Sequence, residues 1–194
     1  MTIRLNPQPP YPMTSDEFLV WANEHDVARV ELIDGEVVAM AGGTRGHSRI
    51  KSNVHAAFGK GLSGVTSPCM SYVDDLSVVI TERTTYIPDV VIDCAEEQDD
   101  DDLIAKEPMV VVEVLSQSTS RNDTDRKLIG YFTVSSIIHY LIIDGFSRNV
   151  VHHRRDDDGI RTTIHHDGEI RLDPPGLTLG VADLWCDLAP REAM

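Results

Sequence analysis

The chain has 194 residues, 41% of them hydrophobic and 25% charged, which is typical of a soluble globular domain. Its formal net charge of −15 argues against binding to nucleic acid through basic surface alone, so such a partner requires a bound cation or a local basic strip. No run of about 20 apolar residues is present to span a membrane, and no signal peptide is visible. Cys69, Cys94 and Cys186 lack the paired spacing of a metal site, and we expect a reducing, cytoplasmic location.

The first half of the chain predicts two helices and a hairpin. Residues 1–13 form an irregular lead-in, and a capping-box pattern then begins a helix over 15–24. Asp34-Gly35 lies between two apolar runs, which is a strong signal for a two-residue hairpin. Apolar residues at spacings of three and four predict a second helix over 47–60.

The second half predicts mainly strands. In order, the expected elements are strands at 70–80, 86–94 and 109–115, a helix at 123–134, a strand at 137–143, a polar meander at 150–153, 160–166 and 169–172, and a closing element at 181–188. Strands and helices alternate only in the middle of the chain. We therefore predict the α/β class, with a mixed β-sheet flanked by helices, a small C-terminal β extension, and a single domain over 1–194.

Two acids lie within apolar segments. Glu113 is in the middle of the run 108–115, where alternation places it on one face with Val111 and Leu115. Asp89 lies early in the run 86–93. A buried carboxylate is costly unless a cation or hydrogen bonds compensate it. Neighbouring strands would bring the two acids together, so the pattern predicts a divalent metal site and hence a hydrolase.

Among the protein's own side chains, Lys127 is the candidate cation that would compensate these acids. Together with Asp123 and Tyr131 it forms an i, i+4, i+8 series on one side of the predicted helix. From there it would orient or deprotonate a water molecule, or stabilise negative charge in the transition state. The alternative is a surface ion pair between Asp123 and Lys127, which contributes little.

The combined spacing resembles that of a known group of nucleases. The residues that carry the likeness are Pro88, Asp89, Glu113-Val114-Leu115-Ser116, Thr119, Asp123, Lys127 and Tyr131, with further matches at 31–36, His47, 140–144 and 176–179. The pattern is similar to the PD-(D/E)XK nuclease superfamily, and most of all to its Uma-type family of restriction-endonuclease-like proteins. The likeness covers about 14 to 188. The lysine usually found two residues after the second acid is Leu115 here.

The resemblance implies a restriction-endonuclease-like fold and metal-dependent cleavage of phosphodiester bonds in DNA. It implies that Asp89 and Glu113 bind Mg²⁺ or Mn²⁺ and that Glu31 is a further acid at the metal. By the same resemblance Lys127, on the following helix, takes the role of the usual lysine. It also implies a homodimer, since duplex DNA needs two cuts. For Glu31 the alternative is a solvent-facing strand residue.

Other functions stay open at this stage. The charge of −15 favours a non-catalytic acidic binding module that keeps the nuclease fold, and a hydrolase of small phosphoesters is a third candidate. The pairs His152-His153 and His165-His166 are more simply strand residues than zinc ligands, because neighbours in a strand face opposite ways. His47 would contact a phosphate or make a local polar contact. Ser116 and Thr119 fit helix capping better than nucleophilic catalysis.

Overall fold

A computed structural model describes residues 9, 12–25, 27, 29–40, 42–116 and 121–189. Its helices are α1 (Ser15–Glu24), α2 (Arg45–Leu62) and α3 (Arg121–Tyr131), with a short 3-10 helix at Val181–Trp185. Its strands are β1 (Val30–Ile33), β2 (Glu36–Ala39), β3 (Met70–Val73), β4 (Val78–Thr81), β5 (Thr84–Tyr86), β6 (Val90–Asp93), β7 (Pro108–Val114), β8 (His139–Asp144), β9 (Asn149–Asp156), β10 (Gly159–His165), β11 (Glu169–Leu172) and β12 (Leu177–Gly180). The predicted fold class, α/β with a mixed sheet, is confirmed.

A six-stranded mixed sheet organises the fold, in the order β10-β9-β8-β7-β6-β3. Only β7 and β8 run parallel, and α3 connects them, because a parallel pair needs a long crossover. All other pairs in this sheet are antiparallel. β7 is central and continuously apolar except for Glu113, as expected for a strand that is covered on both faces.

The two faces of β7 bury different clusters. Val110, Val112 and Val114 pack with α2, β12 and the 3-10 helix. Val111 and Leu115, on the face of Glu113, pack with Tyr131 of α3 and with β4 and β5. A four-stranded sheet, β2-β1-β5-β4, therefore lies on the same side as Glu113, and α1 covers it.

Most elements agree with the sequence predictions, with three differences. The predicted strand at 70–80 is two strands in two sheets, β3 and β4, because Asp74 has a φ of +67° and turns the chain. The predicted helix at 123–134 ends at Tyr131, after which the chain continues in tight turns. The first two strands of the C-terminal meander, β9 and β10, extend the main sheet, and only β11 and β12 form a separate small sheet.

One covalent link was not predicted. Cys69 and Cys94 form a disulfide at the ends of the neighbouring strands β3 and β6, whereas Cys186 is free and exposed. Among the described residues, no helix has the length and apolar character needed to cross a membrane.

Candidate active site

The two acids singled out by the sequence lie side by side. β6 and β7 pair with Val90 opposite Val112, so the same register places Asp89 directly opposite Glu113 and on the same face. Opposite residues in an antiparallel pair have Cβ atoms only about 5 Å apart. The backbone N–H of Val114 also donates to Oδ2 of Asp89 at 2.7 Å, which ties the two strands together at this point.

Asp89 is held by two residues of α2. Nε2 of His47 lies 2.9 Å from the carbonyl oxygen of Val114 and 3.4 Å from Oδ2 of Asp89. Nζ of Lys51, one turn further along α2, lies 3.4 Å from Oδ1 of Asp89 and 2.5 Å from Oδ1 of Asp74. Because residues four apart share one side of a helix, α2 presents an imidazole and an ammonium group to the same carboxylate.

Glu113 is held by two residues of α3. Nζ of Lys127 lies 2.8 Å from Oε1 of Glu113, and the hydroxyl of Tyr131 donates to the same oxygen at 2.7 Å. Lys127 is only 6% exposed. The predicted alternative, a surface pair of Lys127 with Asp123, is therefore wrong, and Asp123 instead accepts a hydrogen bond from Arg126.

Glu31 belongs to the same cluster, although it lies on β1 in the other sheet. Its Oε1 lies 2.9 Å from Nζ of Lys127 and accepts a hydrogen bond from the backbone N–H of Ile87 at 3.1 Å. Glu31 is buried, so the alternative of a solvent-facing strand residue is wrong. Lys127 thus bridges Glu113 of one sheet and Glu31 of the other.

The pKa values of Glu113, Asp89 and Lys127 are shifted by this environment. Burial raises the pKa of Glu113 to about 7, against the opposing effect of Lys127. Burial also acts to raise the pKa of Asp89, but hydrogen bonds from His47 and Val114 outweigh it, so this pKa is lowered. Burial acts to lower the pKa of Lys127, yet Glu113 and Glu31 together raise it, so the side chain is an ammonium ion.

The residues present fit a divalent cation. Four acids, Asp74, Asp89, Glu31 and Glu113, lie against two cations, Lys51 and Lys127. The acids exceed the cations even when Glu113, with its pKa of about 7, is protonated. Among the described residues, no three His, Cys, Asp or Glu side chains are arranged to hold an ion by themselves. Mg²⁺ and Mn²⁺ ordinarily take one or two carboxylates and complete their shell with water and substrate oxygens, which an adjacent acid pair and the carbonyl of Val114 can support.

A cavity of about 550 Å³ opens onto these residues and gives a substrate access to them. Its lining includes Glu31, Asp89, Glu113 and Lys127, together with His47. All four predicted site residues therefore line one cavity, although they come from β1, the residue before β6, β7 and α3.

Two further members of the site were not predicted from the sequence. Lys51 and Asp74 were not singled out, although the i, i+4 spacing from His47 was a usable signal. Asp93 lies away from the cavity, where it accepts the backbone N–H groups of Lys106 and Glu107. Thr119 lies outside the described residues.

The histidine pairs do meet across a hairpin. The rings of His152 and His165 lie 6.0 Å apart, and His139 of β8 joins them through a 2.9 Å contact between its Nδ1 and Nε2 of His152. No ion site is formed by the described residues of this row. The row lies in the main sheet, and none of its residues lines the cavity of the acid pair.

A mixed sheet with an acid pair at its centre and a lysine across it defines the restriction-endonuclease-like class. The solved structure of "a putative nuclease belonging to DUF820" from Anabaena variabilis has the same fold, with a TM-score of 0.70 over 90% of this chain and 98% of that one, at 18% identity. The profile of the Uma2 family, described as "Putative restriction endonuclease", matches residues 15–189. The chain belongs to this family.

Relatives of known sequence are similar along most of their length. An uncharacterised protein of Synechocystis sp., slr1290, is 29% identical over 91% of this chain and 93% of its own length. A second uncharacterised protein of the same organism, sll1609, is 28% identical over 75% of this chain and 82% of its own.

Proposed function

We propose that the protein is a metal-dependent DNA endonuclease whose reaction takes place at Asp89 and Glu113. The observation that carries the proposal is the placement of these acids on opposite positions of β6 and β7, with Lys127 and Glu31 against them. Family membership supports the nuclease class. Retention of all four acids and bases in one cavity favours an enzyme over an inert binding module.

Each residue has a role that follows from its contacts. Asp89, Glu113 and the carbonyl oxygen of Val114 are the groups that would hold Mg²⁺ or Mn²⁺. When bound, such an ion supplies an activated water and neutralises charge on the phosphate. Glu31 contacts Lys127 and the backbone of Ile87, so its assignment as a third ligand stays a prediction.

Lys127 acts as a fixed positive charge. Because its pKa is raised by two buried acids, it does not remove a proton from water at neutral pH. Its ammonium group instead stabilises negative charge that develops on the phosphate in the transition state. Tyr131 orients Glu113 by donating to its Oε1, which leaves the other carboxylate oxygen for an ion.

Nicking of supercoiled plasmid tests the proposal. We expect wild-type protein to nick DNA with Mg²⁺ or Mn²⁺, and both chelator and Asp89→Ala to abolish the reaction. Absence of nicking by wild-type protein, together with no heat of Mn²⁺ binding in calorimetry, leaves the acidic binding module as the function. Hydrolysis of a small phosphodiester without nicking supports the third candidate.

We also propose a homodimer, on the basis of the family resemblance and the need to cut two strands. Sedimentation or light scattering should give twice the 21.5 kDa of one chain. A monomeric mass at the concentrations that support nicking contradicts it. The cytoplasmic location stays a prediction.

A further inference from the structure

A second groove adjoins the candidate active site. It has a volume of about 1440 Å³ and shares Gly43, His47, Leu115 and Ser116 with the lining of the first cavity. It runs along the start of α2 and past the turn between β8 and β9. The two cavities therefore form one continuous trough with the acid pair at one end.

Three arginines from separate parts of the chain line this groove. Arg45 and Arg49 are exposed, four residues apart on α2, and so they share one side of the helix. Arg148 lies about 100 residues later, in the turn between β8 and β9. One of its guanidinium nitrogens, Nη2, donates to the carbonyl of Ala189, and its Nε is buried with no hydrogen-bond partner among the described residues.

The acids of the groove do not cancel these charges. Asp144 and Asp187 line it, and the carboxylate of Asp144 accepts hydrogen bonds from the backbone of Phe146 and Ser147. The trough as a whole has six cations, three in each cavity: Arg29, Arg126, Lys127, Arg45, Arg49 and Arg148. It also has six acids, four in the first cavity and two in the second: Glu31, Asp89, Glu113, Asp123, Asp144 and Asp187. This trough is neutral in a chain whose formal charge is −15, and a divalent ion makes it positive.

We infer that the sugar-phosphate backbone of the DNA substrate follows this groove, away from the acid pair and across Arg45, Arg49 and Arg148. The inference rests on the proposed nuclease function and adds the path of the substrate. Arginine side chains on an exposed helix face suit phosphate contacts, since each neutralised phosphate releases counterions. The groove is the local basic strip that an acidic protein requires in order to bind DNA.

Salt-dependent binding tests the path without any need for catalysis. Binding of wild-type protein to a fluorescein-labelled DNA duplex is measured by anisotropy in chelator at several salt concentrations. The variant R45Q/R49Q removes two phosphate contacts, so the slope of log K against log salt should become shallower by about two. Affinity at low salt should fall by about tenfold or more. Circular dichroism checks the fold, and Gln keeps the helix propensity of Arg.

The matched control is R161Q/R171Q, which changes the net charge equally at exposed arginines on β10 and β11 outside the trough. It should leave the slope unchanged. Equal slopes for the two double variants contradict the proposed path of DNA along the groove. The nuclease function is judged separately, by the nicking assay. No salt-dependent DNA binding by wild-type protein, with no nicking, overturns both proposals.

Discussion

At the scale of single residues, Lys127 is the cation that balances the charges of Glu113 and Glu31. Its ammonium ion lies within 3 Å of two buried carboxylates that belong to different sheets. Removal of one partner from a buried ion pair leaves an uncompensated charge and is strongly destabilising. The assignment of Lys127 to the site had the least support from the sequence, because the superfamily usually has its lysine at the position of Leu115.

We predict that Lys127→Met lowers the free energy of unfolding by about 3 kcal/mol and slows nicking by about a hundredfold. Glu113 and Glu31 lose their common cation, and the phosphate loses a positive charge. Urea denaturation and the plasmid assay measure the two effects. Lys106→Met is the control, because Lys106 pairs with Asp102 at the surface and its loss should change neither quantity.

A second substitution separates charge from packing. Glu31→Gln in the Lys127→Met background removes one of the two unpaired acids and should restore part of the lost stability. No recovery would show that the loss comes from packing of the lysine stem. Nicking should stay low in both variants, because neither carries the ammonium group.

At the scale of elements, the buried histidines on β8 and β9 make the main sheet sensitive to acid. His139 donates through Nε2 to the carbonyl of Pro174, so its Nδ1 accepts from Nε2 of His152. Burial lowers the pKa of His139 to about 4 and that of His152 to about 3. Both rings are therefore neutral in the folded protein at pH values where the unfolded chain binds protons.

We predict that these two histidines make their full contribution to stability above pH 6.5, the ordinary pKa of histidine, and that this contribution is lost as the pH falls towards 4. At these two positions the unfolded state binds up to two more protons than the folded state in this window, whereas Glu113, whose pKa is raised, acts in the opposite direction with or without these histidines. The double variant His139→Gln/His152→Gln should have a shallower dependence, by up to about 2.7 kcal/mol per pH unit. Urea denaturation of both proteins across the window checks this, and parallel curves contradict it.

The disulfide joins the neighbouring strands β3 and β6 at the end of the pair that is opposite to Asp89. Cys69 precedes β3 and Cys94 follows β6, and the two are 25 positions apart in sequence. A loop of that length predicts that Cys69→Ser/Cys94→Ser lowers the free energy of unfolding by about 3 kcal/mol. Cys186→Ser is the matched control, since that thiol is exposed and free. Thiol titration of denatured, unreduced protein should count one free cysteine, and a count of three contradicts the link.

Local signals predicted elements well where they acted within a few residues. The capping box gave the observed bounds of α1, and Asp34-Gly35 forms the predicted hairpin turn with φ values of +53° and +87°. The predictions differed from the structure where contacts with residues distant in sequence determine the local conformation. The strand at 70–80 is broken at Asp74, whose carboxylate binds Lys51 of α2, and no local pattern contains that contact.

The end of α3 has a similar cause. After Tyr131 the backbone makes the tighter bonds of Thr133 N–H to Gly130 and Val134 N–H to Tyr131. The guanidinium of Arg155 on β9, distant in sequence, donates to the carbonyl oxygens of Phe132 and Val134. The acid pair was predictable because burial of a charge in a strand is visible in sequence. For Lys51 the sequence offers only the i, i+4 spacing from His47, because its partners Asp74 and Asp89 become neighbours once the sheets have formed.

At the scale of the whole molecule, the charge of −15 makes the location of any bound cation the decisive question. Blocks of acids at 99–102 and 156–158 lie in exposed turns and attract divalent ions weakly. The site at Asp89 and Glu113 differs in that Asp89 is buried, Glu113 is partly buried, and the acids around them outnumber the cations. Only an ion bound there is linked strongly to folding, because the unfolded chain does not bring these acids together.

We predict that Mn²⁺ raises the free energy of unfolding of the wild-type protein by about 2.7 kcal/mol at 100 times its dissociation constant. If residues 1–194 form a single domain, as predicted, the gain appears in one cooperative transition. Asp89→Asn should abolish the gain, whereas Asp157→Asn/Asp158→Asn removes two exposed charges and should keep it. The opposite pattern would place the ion at the acidic turn, and the acid pair would then have Lys51 and Lys127 as its counter-charges and no metal.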